Sequence, residues 1–106
     1  MEDFQKVEMR VGVITSVRDF PRARKPAWRV EVDFGPELGT RRSSMQAKNY
    51  GKDELPGMQV IAVTNFPPKN IAGFMSEVLI LGVDGTDGEI SLLTPSREAL
   101  PGARVY

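Results

Sequence analysis

The heptapeptide WRVEVDF (28–34) alternates without a break. Trp28, Val30, Val32 and Phe34 fall on one side, and Arg29, Glu31 and Asp33 on the other. A period of two marks a strand with one buried and one wet face. The stretch therefore predicts a β-strand facing a core, with Trp28 a core residue rather than a stacking platform. Upstream, MRVGVITSVR (9–18) places Met9, Val11, Val13 and Val17 on odd positions, with Ile14 the exception. This predicts a long first strand, with Gly12 as the site of a bend. Downstream, GPELG (35–39) reads as a turn, and TRRSSMQA (40–47) as a third strand pairing back. NYGKDEL (49–55) has room for one helical turn at most, and LPGM (55–58) predicts a type II turn with positive φ at the glycine. MQVIAVTNF (58–66) is apolar on both faces and reads as a central fourth strand. SEVLILGV (76–83) reads as a fifth, and EISLLTP (89–95) returns from the hairpin loop GVDGTDGE (82–89). No segment sustains a helical period. Five or six strands with glycine-rich turns in 106 residues predict one all-β domain, a small closed barrel without exposed sheet edges. A small sandwich is the alternative; the long first strand favours the barrel.

Composition narrows the chemistry. There is no cysteine and no histidine. Disulfides, zinc ribbons and thiol catalysis are excluded, and the commonest general base and metal ligand is missing. Asp84, Asp87 and Glu89 lack the spacing of a helix–loop–helix calcium site, and an Asp-Gly hairpin turn explains them better. The same segment is not a phosphate loop, because no Gly-Lys-Ser/Thr follows it. A binding protein without catalytic residues, metal or cofactor is expected. The start, MEDFQKVEMR (1–10), is acidic and mixed and does not read as a signal peptide. No apolar run approaches the ~20 residues of a membrane helix. A cytoplasmic domain with no membrane insertion is expected.

Net charge is zero, with 14 basic and 14 acidic residues, so a globally basic nucleic-acid binder is excluded. The distribution is uneven. Residues 18–48 hold eight basic and four acidic side chains, a local excess of four. That excess spans the loop after the first strand and the second and third strands. In barrels of the oligonucleotide-binding type, strands two and three form the binding face. Arg24, Lys25, Arg41, Arg42 and the more distant Lys69 are thus candidate phosphate contacts. Apolar groups also stand in loops: Phe20-Pro21, Phe66-Pro67-Pro68 and Phe74-Met75. Loops lie on the surface, so these are candidate contacts for unfolded peptide, Met75 through its flexible thioether. Plugging the barrel ends or packing in a dimer interface is the other reading of the phenylalanines. Most of them sit in NFPPKNIAGFMSE (65–77), thirteen residues between two apolar runs. A plain connection between paired strands takes about two to five residues. The stretch therefore reads as a long loop stiffened by Pro67-Pro68 and bent at Gly73, and as the foremost site candidate.

The segments DFQKVEMRVGVI (3–14), FPRARKPAW (20–28), VDFG (32–35), RRSSMQ (41–46), VTNFPPKNIAGFMSEVLILG (63–82) and PGARVY (101–106) together resemble the CsaA-type secretion chaperones. These lie within the broader family of tRNA-binding domains. The resemblance covers essentially the whole chain. It implies a single tRNA-binding-type domain over residues 1–106, a five-stranded Greek-key barrel (OB-fold) with short helical turns and terminal extensions. It also implies a homodimer, tRNA binding, and a chaperone role towards unfolded or precursor polypeptides of the export pathway. The family's tRNA-contacting motif falls on Asn65, Lys69, Met75, Ser76 and Glu77. Val78-Leu79 follow, where many tRNA binders continue with Gly-Met. A free-standing tRNA-binding protein whose main ligand is structured RNA is the second reading.

Overall fold

The computed structural model describes residues 7–106; the first six residues, with the start of the resemblance and most of the leader reading, lie outside the described part. The strands are β1 (Met9–Asp19), β2 (Trp28–Asp33), β3 (Thr40–Met45), β4 (Gln59–Val63), β5 (Lys69–Ile71), β6 (Phe74–Ser76), β7 (Leu79–Ile80), β8 (Gly82–Asp84) and β9 (Ile90–Leu92). One helical turn, α1 (Gly35–Leu38), sits where the sequence reads as a turn. Its two ends are tied by the Gly39 N–H donating to the Gly35 carbonyl at 2.8 Å.

β3, β2, β1, β4 and β7 form one antiparallel sheet in that order. β1 is long because it serves two partners. Residues 9–13 pair with β4 and residues 13–19 with β2. The chain ahead of β7 then returns to the free edge of β3: the Glu77 N–H donates to the Arg42 carbonyl at 2.8 Å, and the Ser43 hydroxyl to the Val78 carbonyl at 2.8 Å. The result is a nearly closed five-stranded antiparallel barrel, as expected. The C-terminal tail covers the edge of β1 that β2 leaves open, with Val11 N–H on the Ala103 carbonyl and Val105 N–H on the Met9 carbonyl, both 2.9 Å.

The alternation read in 28–34 holds throughout: Trp28, Val30, Val32 and Phe34 are all buried in the core with Ile14, Leu55, Val60 and Val78. Trp28 also donates its indole N–H to the Tyr50 carbonyl at 3.1 Å. The parity expected for β1 needs correction. Ile14, the supposed exception, is the fully buried one, and Val13 is only half-buried. The register slips between Ile14 and Ser16, so Thr15 is an extra residue. A bulge of this kind reverses which face later residues occupy. That is why Ile14 and, beyond the bulge, Val17 both pack on the core. Val11 is buried from the other side, by the tail. Gly12 has a different role from the one expected. A Cβ there would lie 2.7 Å from Phe34 Cε1 and closer still to Val32, so its smallness admits the core aromatic.

LPGM forms the expected turn, with Gly57 at φ 91° and the Met58 N–H on the Leu55 carbonyl at 3.0 Å. LPG at 100–102 repeats it, with Gly102 at φ 92°. Two expectations are overturned. The fifth strand is not continuous: β7 pairs with β4, the Leu81 N–H still donates to the Ile61 carbonyl at 2.9 Å, and β8 then pairs with β9 in the hairpin expected around 82–89. Nor is 65–77 a simple loop. Its second half is a tight hairpin, β5–β6, in register Ile71 to Phe74. Both turn residues have positive φ, Ala72 at 50° and Gly73 at 87°, the geometry of a type I′ turn, which suits the twist of flanking strands.

Candidate functional site

The β5–β6 hairpin is bolted to β3 by the pair that ends it. Ser76 is 4% exposed, and its hydroxyl oxygen accepts from the Ser44 N–H at 3.3 Å. Glu77 accepts from the Arg42 N–H at 2.8 Å and faces its guanidinium at 3.8 Å. From this base the Phe74 ring meets the Phe20 ring edge-on, centroids 5.5 Å apart. Each ring carries an arginine: Arg42 lies 5.6 Å from the Phe74 centroid and Arg29 5.6 Å from the Phe20 centroid. A row Arg29–Phe20–Phe74–Arg42 thus clamps the 20–27 loop to the hairpin. Guanidinium–aromatic contacts of this kind contribute about 0.5–1 kcal/mol each at exposed sites.

The row divides two cavities. On one side is a groove of about 890 Å³. Met45, Ala47, Ile80 and Leu92 form part of its lining, and Phe20, Ile71, Leu79 and Val83 add to the apolar walls. Arg22, Arg24 and Lys25 line it from the 20–27 loop, and Asp84 from β8. Leu79 and Val83 are 45% and 53% exposed, large apolar side chains left open to solvent beside the groove. On the other side is a smaller dent of about 190 Å³, lined by Ser16, Arg18, Arg29, Val30, Glu31, Arg42 and Phe74.

The candidate residues scatter over these features. Arg24 and Lys25 line the groove and are exposed. Phe20 also lines it, though it is 6% exposed and so works as a wall. Arg42 and Phe74 line the dent. Arg41 belongs to neither; it is half-buried and donates from Nε to the Leu38 carbonyl at 3.1 Å. Lys69 and Met75 are exposed on the hairpin. Pro21, Phe66 and Pro67 line neither cavity. Asn65 accepts from the Glu8 N–H at 2.9 Å, beside the start of β1. Hydrogen bonds from Thr64 and Arg10 hold the Glu8 carboxyl below the usual glutamate range, and Arg10 also reaches Glu37 at 2.7 Å. Ser76 and Glu77 occupy anchoring positions inside the chain.

Sequence reasoning missed Ile71, Leu79 and Val83 on the groove, and Arg18 and Arg29 in the dent. The first three were absorbed into a loop and an apolar strand; their signal was that a strand apolar on both faces must bury or use both. Arg18 and Arg29 carried a clearer one, since antiparallel pairing of the first two strands brings them opposite each other.

A barrel of this order, with a motif-bearing hairpin beside its third strand, defines a class. The chain belongs to the tRNA-binding domain family, in its CsaA-type branch: the model of the putative tRNA binding domain matches residues 9–104, and the CsaA solved structures match throughout. The CsaA chaperone protein of Picrophilus torridus is 48% identical, with a TM-score of 0.93 over 99% of this chain and 96% of that one. The CsaA chaperone of Bacillus anthracis is 46% identical, with a TM-score of 0.91 over the same shares. A methionine–tRNA ligase of Porphyromonas gingivalis is 38% identical over 105 residues, 98% of this chain. The chain spans only 15% of that ligase's length.

Proposed function

We propose that this chain acts as a single-domain, homodimeric cytoplasmic chaperone that holds unfolded segments of export precursors and also binds tRNA. The observation that carries this reading is the groove of about 890 Å³, apolar within and bordered by arginines and a lysine. Leu79, Val83 and Met75 supply open apolar surface of the kind that marks interaction sites. An unfolded segment offers apolar side chains for such a surface, and its acidic groups would meet Arg22, Arg24 and Lys25. Residues 18–48, which supply Arg22, Arg24 and Lys25 to the groove, carry an excess of four positive charges along the sequence, the feature that supports tRNA as a second ligand. The candidate set Arg24, Lys25, Arg41, Arg42, Asn65, Lys69, Met75, Ser76 and Glu77 for RNA, and Phe20, Pro21, Phe66, Pro67, Phe74 and Met75 for peptide, is narrowed here. Phe20 and Met75 serve peptide, Arg42 and Lys69 serve RNA, and Phe74 stands between the two, with Ser76 and Glu77 holding the hairpin in place.

A dimer fits the exposed apolar residues near the chain ends, Val7, Val105 and Tyr106, since a small barrel gains by burying such surface against its own copy. The function is binding rather than catalysis, supported by a sequence without histidine or cysteine. The second reading, a tRNA-binding protein first, is favoured by the family match itself. Titrating the protein with tRNA and with an unfolded precursor across a salt series separates the two. The chaperone reading expects suppressed precursor aggregation that survives moderate salt. Tight, steeply salt-dependent tRNA binding with no holding of precursor would sink it.

A further inference from the structure

The dent beside Phe74 holds Arg42, already given to RNA, and two arginines with no role so far, Arg18 and Arg29. Arg18 and Arg29 stand directly opposite each other in the β1–β2 ladder. Like charges placed so are destabilising. Neither makes an ion pair among the described residues. Arg29 is nonetheless fixed: its Nε donates to the Asp19 carbonyl at 2.8 Å, and its guanidinium lies on the Phe20 ring. Arg42 is fixed by Glu77 and the Phe74 ring. Three arginines from three adjacent strands therefore line one dent with Ser16, where Glu31 is the lining carboxylate and Glu77 already faces Arg42. Two of the three are held in place before any ligand arrives, which lowers the ordering cost of binding.

We propose that this dent is a subsite for one backbone phosphate of a bound RNA, with Arg18 and Arg29 as its principal cations. The proposal rests on the tRNA-binding reading and names where on that surface the strand is gripped. A tetrahedral phosphodiester accepts hydrogen bonds from several directions, and guanidinium forks match its oxygens. A planar carboxylate is satisfied by one fork and leaves the other two arginines facing each other. The dent lies on the outer face of β1, β2 and β3, and the edge of Phe74 offers an apolar surface beside the phosphate for a ribose or base.

The test compares wild type, Arg18→Gln, the Arg18→Gln/Arg29→Gln double variant and Arg97→Gln. Arg97 is exposed and lines neither cavity, so its variant controls for loss of one charge anywhere. Unfractionated tRNA is titrated over a potassium chloride series, and Trp28 fluorescence with circular dichroism reports the fold. Arg18→Gln is expected to weaken tRNA binding about tenfold, as for loss of a charge-assisted hydrogen bond. The slope of log affinity against log salt should become shallower by roughly one in the double variant. Arg97→Gln should leave both nearly unchanged. If Arg18→Gln behaves like Arg97→Gln while wild type binds tRNA, the subsite is wrong and the tRNA reading stands. If wild type does not bind tRNA, both fail. If the variants instead lose binding to polyglutamate and keep tRNA affinity, the dent takes polypeptide carboxylates and the proposal is overturned.

Discussion

The contact between Gly12 and the Phe34 ring sets the thickness of the core at the centre of β1. Phe34 is almost fully buried and cannot move out without opening the α1 corner, where Gly102 sits against its carbonyl. Adding a methyl group at position 12 therefore forces Val32 or Phe34 off its rotamer. Gly12→Ala is expected to destabilise by about 1–3 kcal/mol, the range for overpacking a well-filled core. A urea titration followed by Trp28 fluorescence should show a lower midpoint with an unchanged slope. An unchanged midpoint would mean the ring has room to yield. That Gly12 mattered was legible in the sequence; why it mattered was not. A glycine in a strand signals either a bend or a close approach, and only the register of β1 on β2 shows that the irregularity lies at Thr15 while Gly12 faces a phenylalanine. Ser76 and Glu77 teach the same thing: their partners on β3 lie more than thirty residues away, beyond any local pattern.

The β5–β6 hairpin is the element that the sequence disguised most. Type I′ hairpins announce themselves by Asn-Gly or Asp-Gly, and here the turn is Ala72-Gly73. With alanine in the first position and prolines before it, the segment read as a stiff loop. Its true geometry makes a prediction at this scale. Alanine at φ 50° is strained, whereas asparagine tolerates that region. Ala72→Asn should stabilise the protein by about 0.5–1 kcal/mol, and Gly73→Ala, at φ 87°, should destabilise it by about 1 kcal/mol or more. Thermal unfolding of the two variants checks the pair. Equal melting temperatures would mean that the turn opens freely and that the Ser76 and Glu77 anchors, not the turn, hold the hairpin. β2 of the main sheet was far more legible, because burial alternates along its whole length, whereas β1 loses its period at Thr15.

The whole molecule places two different surfaces back to back across one aromatic wall. The groove was invisible in the sequence because its lining comes from five separate segments: 20–27, 44–47, 71–72, 79–84 and 90–92. The wall between groove and dent is Phe20 packed on Phe74, each with its own arginine. Surfaces with separate linings respond independently to substitution unless they share a contact. Leu79→Ser lies on the groove alone, and its side chain, 45% exposed, stands outside the core cluster. It should reduce the holding of an unfolded precursor several-fold while tRNA affinity stays within about twofold, since the phosphate-facing arginines are untouched. Phe74→Ala removes the shared wall. It removes one of the two holds on Arg42, leaving Glu77, and deprives Phe20 of its edge-on partner, so both activities should fall. Aggregation suppression and tRNA titration on the same two preparations measure this. If Leu79→Ser lowered both activities equally, peptide and RNA would share one surface. If Phe74→Ala lowered only one, the wall would belong to that site alone, and the Phe20–Phe74 contact would be packing rather than a boundary between two ligands.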